Sequence, residues 1–205
     1  LIPRPETEEM VRLASYLTSE YHIPSCSCRI LDLCCGSGCI AIAMQYIHTG
    51  SLAFGVDISE AALAVARENA KLNKQRTQFV QCDILHDEPQ LPCDQFDVIL
   101  SNPPYVCDSE RSAMRPNVLD YEPALALFVR DDDPLCFYRA VARYAAKHLS
   151  STGFLLLEIN ENLGMETLNL IQSCGFKAKL LKDFRDKDRY LLCQLSSRSN
   201  TSAFK

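Results

Sequence analysis

The chain has 205 residues, of which 47% are apolar and 23% charged, and carries a net charge of −5. That size and make-up fit one compact domain with a substantial core. The acidic balance supplies no basic footprint and so disfavours a protein held to nucleic acid mainly by phosphate contacts. No apolar run approaches the roughly 20 residues of a membrane span.

The elements are read in chain order. The chain opens at Leu1 in "LIPRPETEEMV", without an initiator methionine, and is expected to be a piece of a longer protein. Arg4, Pro5 and Glu6 start a helix whose first residues include Glu6, Glu8 and Glu9, a charge pattern that suits the positive end of the helix dipole. Residues 29–34 (RILDLC) read as the first strand, followed by the turn Gly36-Ser37-Gly38 and a helix over 38–47. A strand over 52–57 (LAFGVD) leads to a helix over 59–73 with Ser59 as N-cap. Strands over 77–82 and 96–101 follow; the second runs into Asn102-Pro103-Pro104-Tyr105. A helix is predicted over 134–149, with Asp133 as N-cap and Pro134 at the first helical position. Then come a strand over 153–159, a helix over 163–173, and strands over 176–181 and 190–195. The last two are joined by "KDFRDKDR", too short for a crossover, so they form an antiparallel hairpin. Apolar runs alternating with helices specify an α/β domain around a mostly parallel sheet over residues 1–195. The tail, 196–205 (SSRSNTSAFK), is expected to be flexible.

Eleven cysteines are an odd number in a chain of this length, and several lie inside apolar runs, as do Cys34, Cys82 and Cys193. They are read as thiols in a reducing intracellular compartment. Cys26, Cys28, Cys34, Cys35 and Cys39 raise the question of zinc, but no pair of C-x-x-C knuckles exists, and no metal is expected.

Chemistry concentrates at three strand ends and one elbow. Gly36 and Gly38 let the backbone pass close to a ligand, and the helix that follows turns its free N–H groups toward it. Asp57 closes the second strand, about 20 residues on, where a carboxylate can take the hydroxyls of a ribose; Asp83 closes the third. A nucleoside laid across these ends is the leading reading. Asp57 as a plain cap for the next helix is the alternative. Gly36-x-Gly38-x-x-Ala41 also satisfies a dinucleotide fingerprint, so these residues alone leave an NAD-binding oxidoreductase open. The elbow decides. Two prolines cannot continue a sheet, and they stiffen the chain just where the strand carrying Asn102 surfaces.

With "LIPRPETEEMV", "ILDLCCGSGCIAIA", "GVD", "SNPPYV", "DYEPALALF" and "GFLLLEI", nearly the whole chain resembles the class I S-adenosylmethionine-dependent methyltransferases. Within them it is similar to the glutamine methyltransferases of peptide-chain release factors, as a eukaryotic member. Asn-Pro-Pro-Tyr is shared with amino-methyltransferases of adenine and guanine, whereas "PRPETE" marks the protein-glutamine branch. The resemblance implies a Rossmann-like fold: a seven-stranded, mostly parallel sheet with a C-terminal antiparallel hairpin and helices on both faces.

It further implies a methyl donor, S-adenosylmethionine, contacted by Cys34, Cys35, Gly36, Ser37 and Gly38 at its methionine end, by Asp57 at the ribose, and by Asp83 and Ile84 at the adenine. Asn102 borders that cofactor and forms the catalytic elbow with Pro103, Pro104 and Tyr105. Asn102 and the Pro103 carbonyl accept the N–H bonds of the substrate amide, and Tyr105 stacks on it, its ring mattering more than its hydroxyl. Tyr121, Glu122 and Pro123 are assigned to the loop over the slot. The expected partner is a release factor, with no stable nucleic-acid complex, no membrane and a monomeric state, in a mitochondrial rather than cytosolic setting. Departures are a cysteine at 34 where glycine is usual and charges near Val129 to Asp131 where glycines are usual; the family's N-terminal helical domain is expected to lie outside this piece of the protein. A nucleic-acid amino-methyltransferase and a silent binding module remain the alternatives.

Overall fold

The computed structural model describes residues 4–114 and 122–196; residues 197–205 of the expected tail, Tyr121 and the first three residues lie outside them. Helix α1 spans Pro5–Glu20, with proline in its first turn, and turns Met10, Val11, Ala14 and Leu17 inward. Strand β1 (Arg29–Leu33) is followed by α2 (Cys39–Ile47), β2 (Leu52–Asp57), α3 (Glu60–Leu72), β3 (Gln78–Gln81) and β4 (Phe96–Ser101). Two short strands, β5 (Val106–Cys107) and β6 (Phe128–Val129), pair in parallel outside the main sheet. Helix α4 (Cys136–His148), β7 (Leu149–Glu158), α5 (Gly164–Ser173), β8 (Phe176–Lys182) and β9 (Asp188–Leu195) complete the domain.

The main sheet has the order β3-β2-β1-β4-β7-β9-β8. Its pairs are parallel from β3 to β7, while β9 runs antiparallel to both β7 and β8. The expected seven-stranded sheet and hairpin are therefore present. Both faces are covered, and strand residues alternate between two cores. Leu31, Leu33, Ile99, Leu155 and Leu157 join Tyr138 and Val141 of α4 and Ile171 of α5. Ile30, Val98, Leu100, Phe154 and Leu156 join Met10 and Ala14 of α1 and Ile40 and Met44 of α2. Period-2 alternation with apolar residues on both faces is what a covered parallel sheet requires.

Connections from β1 lead to β2 and β3 on one side, and β4 lies on the other. The carboxyl ends of β1 and β4 thus flank the point where strand order reverses, the usual ligand crevice of such sheets.

Several boundaries differ from the sequence reading. Ser59 is the N-cap of α3, accepting from the Ala62 amide at 3.2 Å. Asp133 is not a cap, and Pro134 precedes the helix. α4 starts at Cys136, because Arg139 draws the Asp133 carboxylate into a two-pronged pair at 2.8 and 3.0 Å. Strand β7 begins at Leu149, which pairs with Phe96 ahead of the register shift in the β4 ladder. Its Ser-Ser-Thr-Gly opening looks like a loop until β4 recruits it.

Candidate active site

The first half of the site is the loop leaving β1. Cys34 sits in the left-handed region with φ of 62°, as do Gly36 at 53° and Gly38 at 76°. A β-carbon is costly there, which is the physical reason a glycine suits position 34. The Cys34 thiol is pushed well up, first by burial and then by the carboxylates of Asp57 and Asp32. The Cys35 amide donates to the Val56 carbonyl at 2.9 Å, and its side chain is buried against β2.

The two glycines do different work. At Gly38 an added β-carbon would meet the Phe79 ring at 2.8 Å and Ala66 at 3.0 Å, so this residue lets α2 pack close. At Gly36 nothing lies within 4 Å of that position. The open side of Gly36 is a cradle that a ligand can enter.

Asp57 sits at the end of β2, as expected. Its Oδ2 accepts the Gly36 amide at 2.7 Å and its Oδ1 accepts the Ser59 amide at 2.9 Å. One carboxylate thus holds the loop and the entry to α3, with lone pairs left for a further donor. Asp83 lies just past β3 and organises a turn: Oδ1 accepts from the Leu85 amide at 3.0 Å, and Oδ2 meets His86 Nδ1 at 2.8 Å. Ile84 in that turn is half-buried against the core. The Ser37 carbonyl accepts from Asn69 Nδ2 at 3.0 Å, anchoring the loop to α3.

The second half is the elbow after β4. Ser101 pairs with Leu33 across the β1–β4 ladder, and its hydroxyl donates to the Leu33 carbonyl at 2.7 Å. Asn102 therefore emerges directly beside the glycine loop. Pro103 and Pro104 are buried, and Asn102 and Tyr105 are half-buried.

Residues that the sequence reading did not single out hold this elbow. Asn102 Nδ2 donates to Thr7 Oγ1 at 3.1 Å, and Thr7 donates to Glu158 Oε2 at 2.9 Å. The Tyr105 hydroxyl donates to Glu158 Oε1 at 3.1 Å. Asn160 Nδ2 donates to the Tyr105 carbonyl at 3.0 Å and to Glu110 Oε2 at 2.9 Å. The Tyr105 hydroxyl is thus tied to the same carboxylate as Thr7, a partnership that the stacking role expected of its ring did not include. Burial and the neighbouring Glu158 push the Tyr105 hydroxyl well up, so it stays a proton donor.

Asp32, in the middle of β1, was also missed. It is fully buried; Oδ2 accepts the Ala41 amide at 3.3 Å, and Oδ1 has no partner among the described residues. Burial first, with Asp57 adding to it, pushes its carboxyl well above the usual range against the pull of the Ala41 amide. The signal was an acid inside an otherwise apolar strand, a position that burial penalises unless something pairs with it.

Arg4, at the start of α1, pairs with Glu122 at 2.9 Å, which ties the opening segment to the loop assigned over the slot. Among the described residues no group of three or more His, Cys, Asp or Glu side chains is placed to hold a metal, and no helix is long and apolar enough to cross a membrane.

Comparison with known proteins follows the same lines. A family described as "Methyltransferase domain" matches residues 25–202. The release factor glutamine methyltransferase of Flavobacterium psychrophilum is 44% identical over 193 residues, covering 93% of this chain and 66% of that protein. The Bacteroides thetaiotaomicron protein of the same name is 39% identical over 192 residues, again 93% of this chain and 66% of its own length. That of Lactococcus lactis subsp. lactis is 38% identical over 194 residues, 93% of this chain and 68% of its own. The chain thus spans about two thirds of the length of these relatives.

Among solved structures, the hMettl16 catalytic domain in complex with MAT2A 3'UTR hairpin 6 superposes with a TM-score of 0.68 at 14% identity, covering 97% of this chain and 73% of that one. Magnesium protoporphyrin IX methyltransferase from Synechocystis PCC 6803 with bound SAM gives 0.59 at 16%, covering 93% and 79%. These likenesses establish the fold.

Proposed function

We propose that this chain, which belongs to the release factor glutamine methyltransferase family, methylates the side-chain amide nitrogen of a glutamine. The substrate is the Gly-Gly-Gln loop of a peptide-chain release factor, the donor S-adenosylmethionine and the by-product S-adenosylhomocysteine. The observation that carries this reading is the exit of Asn102 from β4 directly beside the glycine loop that leaves β1.

The residues present fit the donor. Gly36 leaves an open cradle, and Asp57 and Asp83 offer carboxylate oxygens at successive strand ends to hydroxyl and amine donors. Cys34, Cys35, Ser37 and Gly38 complete the loop that would hold its methionine end, with Ile84 beside the adenine. When bound, the donor supplies an electrophilic methyl on a sulfonium.

An amide nitrogen is a weak nucleophile because its lone pair is delocalised, so orientation must supply much of the rate. Asn102 Oδ1 and the Pro103 carbonyl are acceptors for the two N–H bonds of the substrate amide. Held so, the nitrogen is aimed, and positive charge developing on it during transfer is stabilised by two fixed dipoles. The proton leaves after transfer, and no strong base is needed. Pro103 and Pro104 keep these acceptors from drifting.

The test is single-turnover transfer of a labelled methyl group by the full-length protein, offered a release factor or nucleic acid. Label on the release-factor glutamine is expected, and Asn102→Ala should slow it on the order of 100-fold with cofactor affinity little changed. Label on adenine or guanine instead would transfer the assignment to nucleic acid. Cofactor binding without transfer to either would favour a binding module.

A further inference from the structure

A one-way chain of hydrogen bonds reaches Asn102 from the far side of the elbow. Its members come from three places: Glu158 at the end of β7, Thr7 in the first turn of α1, and Asn102 after β4. Thr7 and Glu158 are buried, at 5% and 2% exposure. An ionised carboxylate only accepts, and a hydroxyl has one proton. Thr7 gives that proton to Glu158 at 2.9 Å, so it has only lone pairs left to offer Asn102. The amide must then present its NH2 group to Thr7, at 3.1 Å, which leaves Oδ1 for the other side.

We infer that Thr7 and Glu158 are positioning residues that decide which end of the Asn102 amide meets the substrate. The inference rests on the reading that Asn102 accepts a substrate N–H. Without the chain the amide can turn over, and an NH2 group would then face the N–H donors it is meant to receive. Donation toward an anion also draws electron density onto Oδ1, making it a better acceptor.

The net effect of its surroundings is to raise the Glu158 carboxyl above its ordinary value, and both of its oxygens accept in the chain, from Thr7 at 2.9 Å and from Tyr105 at 3.1 Å. Burial lifts its pKa, and Glu6 of α1 adds to that; the donated bonds from Thr7 and Tyr105 and the charge of Arg189 on β9 act in the other direction. Tyr138 of α4 and Tyr190 of β9 also lie within reach of its charge.

Thr7→Val keeps the shape and removes the hydroxyl; Thr7→Ser keeps the hydroxyl. The first readout needs no substrate: the side-chain NH2 resonances of Asn102, identified by their loss in Asn102→Ala. In the natural protein and in Thr7→Ser the proton donated to residue 7 should be shifted away from the ordinary position of a free side-chain amide, and Thr7→Val should return it to that position. The second readout is single-turnover methyl transfer. Thr7→Val should lose about 10- to 100-fold with cofactor affinity unchanged, and Thr7→Ser should stay within about threefold of the natural rate. If Thr7→Val does not fold, Glu158→Gln takes its place, with the same losses expected.

Unchanged Asn102 resonances in the variant lacking the chain overturn the inference whatever the substrate is. Equal slowing by Thr7→Val and Thr7→Ser also overturns it, since packing would then explain both. A held amide in a protein that methylates no release factor would overturn the proposed function and leave the positioning role standing.

Discussion

Asp57 Oδ2 accepts the Gly36 amide at 2.7 Å, so the last residue of β2 grips the loop that leaves β1. The carboxylate expected to take a ribose also sets the shape of the cradle. Asp57→Ala should therefore weaken S-adenosylmethionine by more than a single ribose contact, by about 2 to 4 kcal/mol when the two roles are combined. Calorimetry checks this; a loss under about 1 kcal/mol would show that the ribose is held elsewhere.

Gly36 and Gly38 separate binding from folding. Gly36→Ala places a methyl in open space, so the fold should lose only the left-handed strain of about 1 kcal/mol while cofactor affinity falls at least tenfold. Gly38→Ala drives a methyl into the Phe79 ring and should cost about 2 to 4 kcal/mol of stability. Urea denaturation beside cofactor titration distinguishes them, and the idea fails if both variants lose the same property.

Tyr105→Phe keeps the ring and removes a donor from Glu158. A buried carboxylate left with fewer donors should destabilise the protein by about 1 to 3 kcal/mol. Unfolding in urea measures it; a neutral result would return the weight to the ring alone.

Asp97 links stability to pH. Its carboxylate takes the Arg29 side chain at 2.8 and 3.0 Å and the Arg29 amide at 3.0 Å. Burial pushes its pKa up, but these bonds outweigh it and leave the carboxyl below its ordinary 3.8. The folded value is depressed, so the stabilisation is present above the unfolded value and is lost as pH falls through the folded one. Asp97→Asn should cost about 1 to 2 kcal/mol near neutrality, and the gap should close below about pH 4. A gap that stays constant to pH 2 would contradict this.

The sheet was legible because its strands are apolar on both faces, and the elbow because two prolines in a row have few uses. What sequence could not supply was partnership at a distance. Thr7 bonds Glu158 across 151 positions, and Asn102 bonds Thr7 across 95. No local pattern encodes such pairs. Yet Asp32 and Glu158 each interrupt a buried apolar strand, a mismatch visible in the sequence that was not taken up as a sign of residues with something to hold. Asp133 misled for the opposite reason: an Asp-Pro step has the look of a helix start, and only the folded chain brings Arg139 to it.

The contribution of α1 has a practical side. The methyltransferase-domain match begins at residue 25, beyond the end of α1 at Glu20. A chain trimmed to that boundary would keep every strand and the glycine loop, but it would uncover the sheet face that Met10 and Ala14 fill. It would lack Thr7, the contact that Asn102 leans on. Domain borders drawn from shared sequence mark what the fold has in common with its many cousins; here the working unit includes at least one helix beyond that border.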